Sequence, residues 1–214
     1  MTSAERAEEK ENAAGNEAEA ALREALFGNA AEARQRAAAA LALSTGRDVQ
    51  LYVALALAFA GDAARAQALA DDLAERLPED TIVQFNYLPT IHAQLALDRN
   101  EASKAIETLR AATPYELGQG GGLYPVYVRG EAYLAAHRGS EAATEFQKIF
   151  DQRGVVGNEP IGALAHLDLA RAYSMQGDAA KARSAYQDFL TLWSEADPDI
   201  PILQRAKAEN SKLK

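Results

Sequence analysis

The 214-residue chain has no cysteine, which removes disulfides, thiol catalysis and thiolate metal sites together. Histidine is scarce: His92, His137 and His166 are the full set, and no two stand at i, i+4 on one helix. The several converging ligands that zinc or iron demands are therefore not in the pattern, and no metal is expected. Valine and isoleucine are few and alternating apolar runs stop after a few positions, which argues against a sheet. No stretch of about 18 uncharged apolar residues occurs, so nothing in the sequence reads as a membrane span. Basic residues are the minority, 22 Lys and Arg against 31 Asp and Glu, for a formal charge of −9. Nucleic-acid binding usually needs a basic stripe to neutralise phosphates, so that class is disfavoured, whereas a cationic partner is admitted. The acidic, alanine-rich start is the reverse of a secretory signal.

Catalytic patterns are missing as well. There is no Gly-x-Ser-x-Gly elbow and no Cys-His pair. Neighbouring carboxylates such as Asp71-Asp72 and Glu8-Glu9 would point about 100° apart on a helix, as solvated faces do. The glycine run Gly118-Gln119-Gly120-Gly121-Gly122 is followed by Leu123-Tyr124-Pro125 rather than by the Gly-Lys-Ser/Thr of a phosphate loop. It reads as a long connection between helices, able to hinge. No catalytic residue and no cofactor is expected.

Alanine and a repeated polar turn carry the positive information. Gly28-Asn29, Gly61-Asp62, Arg99-Asn100, Arg138-Gly139-Ser140 and Gly177-Asp178 each precede a helix-interior alanine: Ala33, Ala66, Ala105, Ala142 and Ala182. These alanines lie 33, 39, 37 and 40 residues apart. Asn29, Asp62, Asn100, Ser140 and Asp178 are expected N-caps, with Glu32 completing a capping-box-like pair with Asn29. Pro160 suits a first helical turn, while Pro78 and Pro198 follow helix ends. Paired helices are thus predicted over 16–27 and 30–43, 48–60 and 63–77, 81–98 and 101–112, 123–137 and 140–151, and 160–176 and 179–193. A capping helix follows over 199–212. Residues 1–14 read as an acidic lead-in, frayed or disordered, and 15–214 as one array. Small residues in the first helices (Ala21, Ala54, Ala93, Gly130, Ala170) permit close approach of a partner helix. Phe146 and Tyr186 would seal one repeat against the next, where Ala37 and Ala70 leave the N-terminal repeats thinly packed.

The spacing is close to the period of about 34 residues of tetratricopeptide (TPR) arrays. Leu169-Ala-Arg-Ala-Tyr173 with Gln176-Gly-Asp178, Ala182 and Tyr186 resembles that consensus, and the likeness covers about 16–194. It implies an all-α, right-handed α-solenoid of about five helical hairpins plus the capping helix, each hairpin burying its apolar face only by stacking on its neighbours. In this frame the groove-facing positions fall on Leu55, Phe59, Tyr87, Thr90, Gln94, Tyr124, Tyr127, Glu131, Leu167 and Arg171. The candidate peptide-binding groove is Tyr87, Thr90, Gln94, Tyr124, Tyr127, Glu131 and Arg171; the other reading of these residues is packing between repeats. The slots that grip a C-terminal carboxylate in such arrays hold Ala18, Leu22, Tyr52, Tyr87 and Ile91, so no carboxylate clamp is expected. Trp193 is expected to pack beneath the terminal helix through Ile200, Ile202 and Leu203.

A narrower likeness runs through Asn86-Tyr-Leu-Pro-Thr90, Thr113-Pro-Tyr-Glu-Leu-Gly118, Arg129-Gly-Glu-Ala-Tyr-Leu134, Glu145-Phe-Gln-Lys-Ile149, Asn158-Glu-Pro-Ile-Gly-Ala-Leu-Ala-His166 and Asp197-Pro-Asp-Ile-Pro-Ile-Leu203. Together these resemble the C-terminal repeat tail of acidobacterial-type serine/threonine protein kinases. The kinase part has no counterpart here: His137-Arg138-Gly139 lacks the catalytic aspartate, and there is no Asp-Phe-Gly. The resemblance implies a non-catalytic docking or sensory module for a protein or peptide, with no nucleic acid. The compartment is cytoplasmic by default, or extracytoplasmic if the module is the tail of a membrane-anchored kinase. A different class is a self-associating scaffold, a homodimer built through the alanine-rich end repeats.

Overall fold

The computed structural model describes residues 3–118 and 122–213, and the side chains within these from residue 8 onward. Among the described residues the chain is all-helical, with no strand. The α-helices are α1 (Ser3–Phe27), α2 (Ala30–Leu43), α3 (Arg47–Phe59), α4 (Ala63–Arg76), α5 (Leu88–Asp98), α6 (Ala102–Thr108) and α7 (Tyr124–Ala135). They continue with α8 (Gly139–Asp151), α9 (Arg153–Val156), α10 (Pro160–Met175), α11 (Ala179–Leu192) and α12 (Pro201–Ser211). A 3-10 turn, Leu109–Ala112, extends α6. Each long helix packs on the next, and α1, α3, α5, α7 and α10 also pack in sequence along one side.

One turn, used five times, sets this order. Gly28, Gly61, Asn100, His137 and Gly177 all adopt positive φ, between 56° and 95°. In each case the next residue's N–H reaches back to a carbonyl in the last turn of the preceding helix: Asn29 to Glu24, Asp62 to Leu57, Glu101 to Ala96, Arg138 to Tyr133 and Asp178 to Tyr173, at 2.8–3.0 Å. This closes the helix C-terminus in the left-handed geometry glycine and asparagine favour. The alanine four residues past each capping position then donates its N–H to the cap carbonyl, and all five alanines are buried.

The expected caps hold only in part. Asp62 and Asp178 accept from the N–H of Arg65 and Lys181 at 3.4 and 3.1 Å. Asn29 stands at its cap without a side-chain cap bond, its amide turned back to Glu24 at 2.8 Å. Asn100 instead takes the left-handed position, moving the cap to Glu101; His137 does the same in the fourth turn, making Arg138 the cap and placing Ser140 inside α8. A turn needing positive φ outranks a side-chain cap, because the strained residue must be there whatever follows.

Two further departures are instructive. The lead-in over 1–14, read as a frayed helix extension or a disordered segment, is helical from Ser3 onward with Ala14 buried, since alanine and glutamate are strong helix formers. The expected helix over 81–98 carries a π-turn, Val83–Tyr87, directly ahead of α5. Pro89 has no N–H and would crowd the carbonyl four residues back, and a widened turn relieves that conflict. The turn leaves Phe85 43% exposed, with its ring stacked on Tyr115 at 5.1 Å.

The two ends of the chain meet. Phe27, closing α1, packs edge-on against Trp193 with ring centroids 4.7 Å apart, and Trp193 also lies 5.0 Å from Phe189. A Cβ on Gly28 would sit 3.0 Å from Cβ of Pro201 at the start of α12. Trp193 is thus a half-buried seam residue between the first and last hairpins, not only a floor for the terminal helix. Trp193→Ala is expected to lower unfolding free energy by about 2–3 kcal/mol, below the full cost of a buried tryptophan because the ring keeps some exposure. Urea titration followed by circular dichroism checks it, and a change below about 0.5 kcal/mol would remove the seam from the core.

Candidate functional site

The residues expected to face a groove lie on α5, α7 and α10 and on the π-turn ahead of α5, helices that pack in sequence, and five of the seven are buried. Tyr87, Tyr124 and Tyr127 expose 1, 2 and 3% of their surface, and Thr90 is as deeply buried. Their polar tips are already engaged. The Tyr87 hydroxyl donates to Asp48 at 3.1 Å, Tyr124 to Glu159 at 2.6 Å and Tyr127 to Asp168 at 2.8 Å. Thr90 donates to the carbonyl of Asn86 at 2.6 Å, one turn back. Burial, reinforced by the adjacent carboxylates, pushes the phenol pKa of all three tyrosines up, so they act as neutral donors. As read from the sequence they were either an open aromatic groove or packing between repeats; the structure buries all three rings, each hydroxyl held by a carboxylate.

Gln94, Glu131 and Arg171 occupy the other end of the same inner surface. Arg171 donates to Asp168 at 2.8 Å and to both oxygens of Glu209 at 2.8 and 2.9 Å, bridging α10 to α12. The Tyr186 hydroxyl adds a third tie to Glu209 at 3.0 Å. Burial alone would lower the guanidinium pKa, but Asp168 and Glu209 more than compensate and hold it charged. Gln94 donates to Asp98 at 3.2 Å, while its own Oε1 and the Oε2 of Glu131 are shut off from solvent without a donor.

Open space lies at the N-terminal ends of the inner helices. A groove of about 350 Å³ runs between α1 and α3, lined by Glu11, Asn12, Asn16, Glu19, Asp48 and Tyr52. A second space of about 360 Å³ shares Glu19 and Tyr52 and continues past Arg23 to Val155, Asn158 and Glu159, on the segment that leads into α10. The Tyr52 hydroxyl donates to Glu159 at 3.2 Å across this junction, and its ring meets Tyr124 edge-on at 6.4 Å. Glu11, Glu19, Asp48 and Glu159 against Arg23 give the two spaces an acidic lining, with Asp48 paired to Arg47 at 2.8 Å. Tyr52 supplies an aromatic floor. In the sequence Tyr52 stands only at an unfilled clamp slot, and nothing in the repeat pattern marks Glu11, Glu19 or Glu159. The nearest signal was the spacing of Glu11 and Glu19 along one side of α1, at i and i+8.

On the opposite flank of the 155–160 segment, a mostly apolar cavity of about 420 Å³ is lined by Ile149, Phe150, Arg153, Val156, His166 and Leu192, among others. His166 packs against Phe150 with ring centroids 4.3 Å apart, and burial lowers its pKa. His92 is half-buried beside Gln67, its pKa also lowered by burial, and His137 serves the fourth turn through its backbone. Among the described residues no group of three His, Cys, Asp or Glu side chains is arranged to hold a metal ion. The glycine run falls largely outside the described residues, at 119–121. Among the described residues no helix is long and apolar enough to cross a membrane. A scan against protein-family models and a search of curated proteins both returned no match to this chain.

Proposed function

We propose that the chain is a non-enzymatic protein-interaction module of the tetratricopeptide kind, which takes an extended peptide segment in the groove along α1 and α3. The five helix–turn–helix joints with the same positive-φ residue and backbone bonds support the repeat reading. The single observation that carries the binding reading is the pair of open spaces that share Glu19 and Tyr52, bounded by Glu11, Glu19, Asp48 and Glu159. An aromatic floor with an acidic rim suits a segment that offers a cationic side chain and some apolar stem. The likeness to kinase tails gives the parent context of this proposal: a docking or sensory segment whose partner is a protein.

Reversing two rim charges tests the groove. Glu11→Lys with Glu19→Lys alters exposed positions and is expected to leave folding nearly unchanged. Binding of fluorescein-labelled extended peptides, matched in length and differing in charge, is read by anisotropy. Lysine- and arginine-bearing peptides should bind the parent protein and lose at least about tenfold in affinity on the double variant, with steeper salt dependence in the parent. Equal binding of acidic and basic peptides, or an unaffected double variant, would remove this groove from consideration.

A second reading, self-association, has its own observation. Where Ala37 and Ala70 replace the large sealing residues, an apolar furrow of about 170 Å³ opens between α2 and α4, lined by Ala37, Ala38, Leu41, Leu57, Ala68 and Leu69. Small residues in an exposed furrow allow close docking of another helix, and sedimentation at micromolar concentration distinguishes a homodimer from a monomer.

A further inference from the structure

We infer that the cavity bounded by α8, α9, α10 and the end of α11 is a binding site for a small amphipathic anion, a free monocarboxylate with an apolar tail such as a medium-chain fatty acid. It lies across the 155–160 segment from the acidic groove and does not depend on that groove's assignment. Its origin is the link between the fourth and fifth hairpins. Residues 44–46 alone join α2 to α3, whereas α8 passes to α10 through α9 and the positive-φ Gly157. Val156 of α9 is seated against the first turns of α10. A Cβ on Gly162 would lie 3.1 Å from Val156 Cγ1, so the bare position at 162 lets this wall come close. The space of about 420 Å³ left beside it falls within the range of small-molecule sites.

The lining selects an apolar tail. Ile149 and Phe150 come from α8, Val156 from α9, Ala163 from α10 and Leu192 from α11. Phe150 is half-buried and Leu192 is 61% exposed, so apolar surface stands in water at the rim, and a tail laid over it would release that water. Charge selects the head. Arg153 is the only Lys or Arg in the lining. Arg47, Arg129 and Arg171, the arginines of α3, α7 and α10, are each tied to carboxylates, but among the described residues Arg153 has no carboxylate within ion-pair distance. The one carboxylate in the lining, Glu159, has both oxygens engaged by hydroxyls from α3 and α7, Tyr52 at 3.2 Å and Tyr124 at 2.6 Å. Asp188 of α11 acts on His166 without entering the lining. His166 itself, its ring against Phe150, is kept neutral by burial and offers a hydrogen-bonding edge rather than a second cation. A guanidinium fork beside an apolar wall matches a carboxylate head on an apolar tail.

Decanoate below its micellar concentration is the probe, titrated calorimetrically into the parent protein. Saturable binding is expected, with decyltrimethylammonium, the same tail on a cationic head, at least about tenfold weaker. The formal charge of −9 favours the cation everywhere else on the molecule, so a preference for the anion has to come from a local site. Arg153→Glu reverses an exposed charge and should weaken decanoate at least about tenfold, with circular dichroism unchanged. Ala163→Phe fills the cavity and should weaken it by a similar factor. Because filling can disturb packing, nuclear Overhauser contacts from the decanoate methylenes to Ile149, Val156 and Leu192 locate the tail in the parent protein itself. The inference is overturned by any of four results: no saturable binding, equal affinity for anion and cation, parental affinity in Arg153→Glu, or contacts that place the tail elsewhere.

Discussion

Arg129→Ala should be among the most damaging single substitutions in this protein, lowering unfolding free energy by about 3–5 kcal/mol. Arg129 lies on α7 with its side chain 6% exposed, and donates to Glu116 at 2.8 Å and Glu145 at 2.6 Å. Both carboxylates are themselves nearly sealed from solvent. Burial would lower the pKa of the guanidinium, yet the two carboxylates, Glu145 foremost, raise it. Removal of the arginine leaves two acids facing each other, with only the half-exposed Lys148 bonded to Glu145 at 2.9 Å. The cost is the stranded charges rather than the worth of the pair. That distinction is measurable: Arg129→Met combined with Glu116→Leu and Glu145→Met should recover most of the loss, since replacing a buried ion cluster whole by apolar groups is often neutral. Glu116 also anchors the connection between α6 and α7, so the single variant should expose Thr113–Gly118 to proteolysis before the helices melt. Guanidinium titrations of both variants check the pair of expectations. A loss below about 1 kcal/mol in Arg129→Ala would mean that water reaches the cluster.

How much of this was legible in the sequence depends on how local the cause is. Apart from α1, which begins at Ser3 rather than 16, and the π-turn ahead of α5, the helices fall within a few residues of their expected bounds, because most of the five turns are written by a glycine, asparagine or aspartate acting locally. The five anchor alanines and the five small residues Ala21, Ala54, Ala93, Gly130 and Ala170 are all buried. The cap positions of α6 and α8 were misplaced by one and two residues, since Asn serves equally as a cap and as a left-handed residue and His137 carries no turn signature. Buried charge was legible in principle: Arg129 within Val126-Tyr-Val-Arg and Asp168 within Ala165-His-Leu-Asp interrupt otherwise apolar stretches. The seam of Phe27 with Trp193 was not legible. It depends on how far the chain of hairpins turns per unit, a sum of small crossing angles that periodicity does not encode. The same sum decides that Tyr87, Tyr124 and Tyr127 are buried with their hydroxyls on Asp48, Glu159 and Asp168, while open space remains between α1 and α3.

The second large effect belongs to Phe146, whose substitution by alanine should cost about 3–5 kcal/mol. Its ring is fully buried in α8 between α7 and α10, lies 6.0 Å from Tyr127, and rests over Gly130. A Cβ at Gly130 would meet Phe146 Cε1 at 2.5 Å and Cζ at 2.6 Å, too close for any contact without movement. Glycine inside α7 is a sacrifice of about 1 kcal/mol in helix propensity, kept because it makes room for the aromatic ring. Gly130→Ala therefore sets that propensity gain against overpacking of about 1–3 kcal/mol, and should be net destabilising while Phe146 is present. In the Phe146→Ala background the ring is gone, and the same substitution should turn stabilising by about 1 kcal/mol as helix propensity alone remains. A double-mutant cycle of thermal and denaturant stabilities measures this reversal as a coupling of about 1–3 kcal/mol between the two positions. Additive effects would mean that α7 and α8 approach less closely than the ring over Gly130 requires, and the close stacking of the fourth hairpin would lose its support.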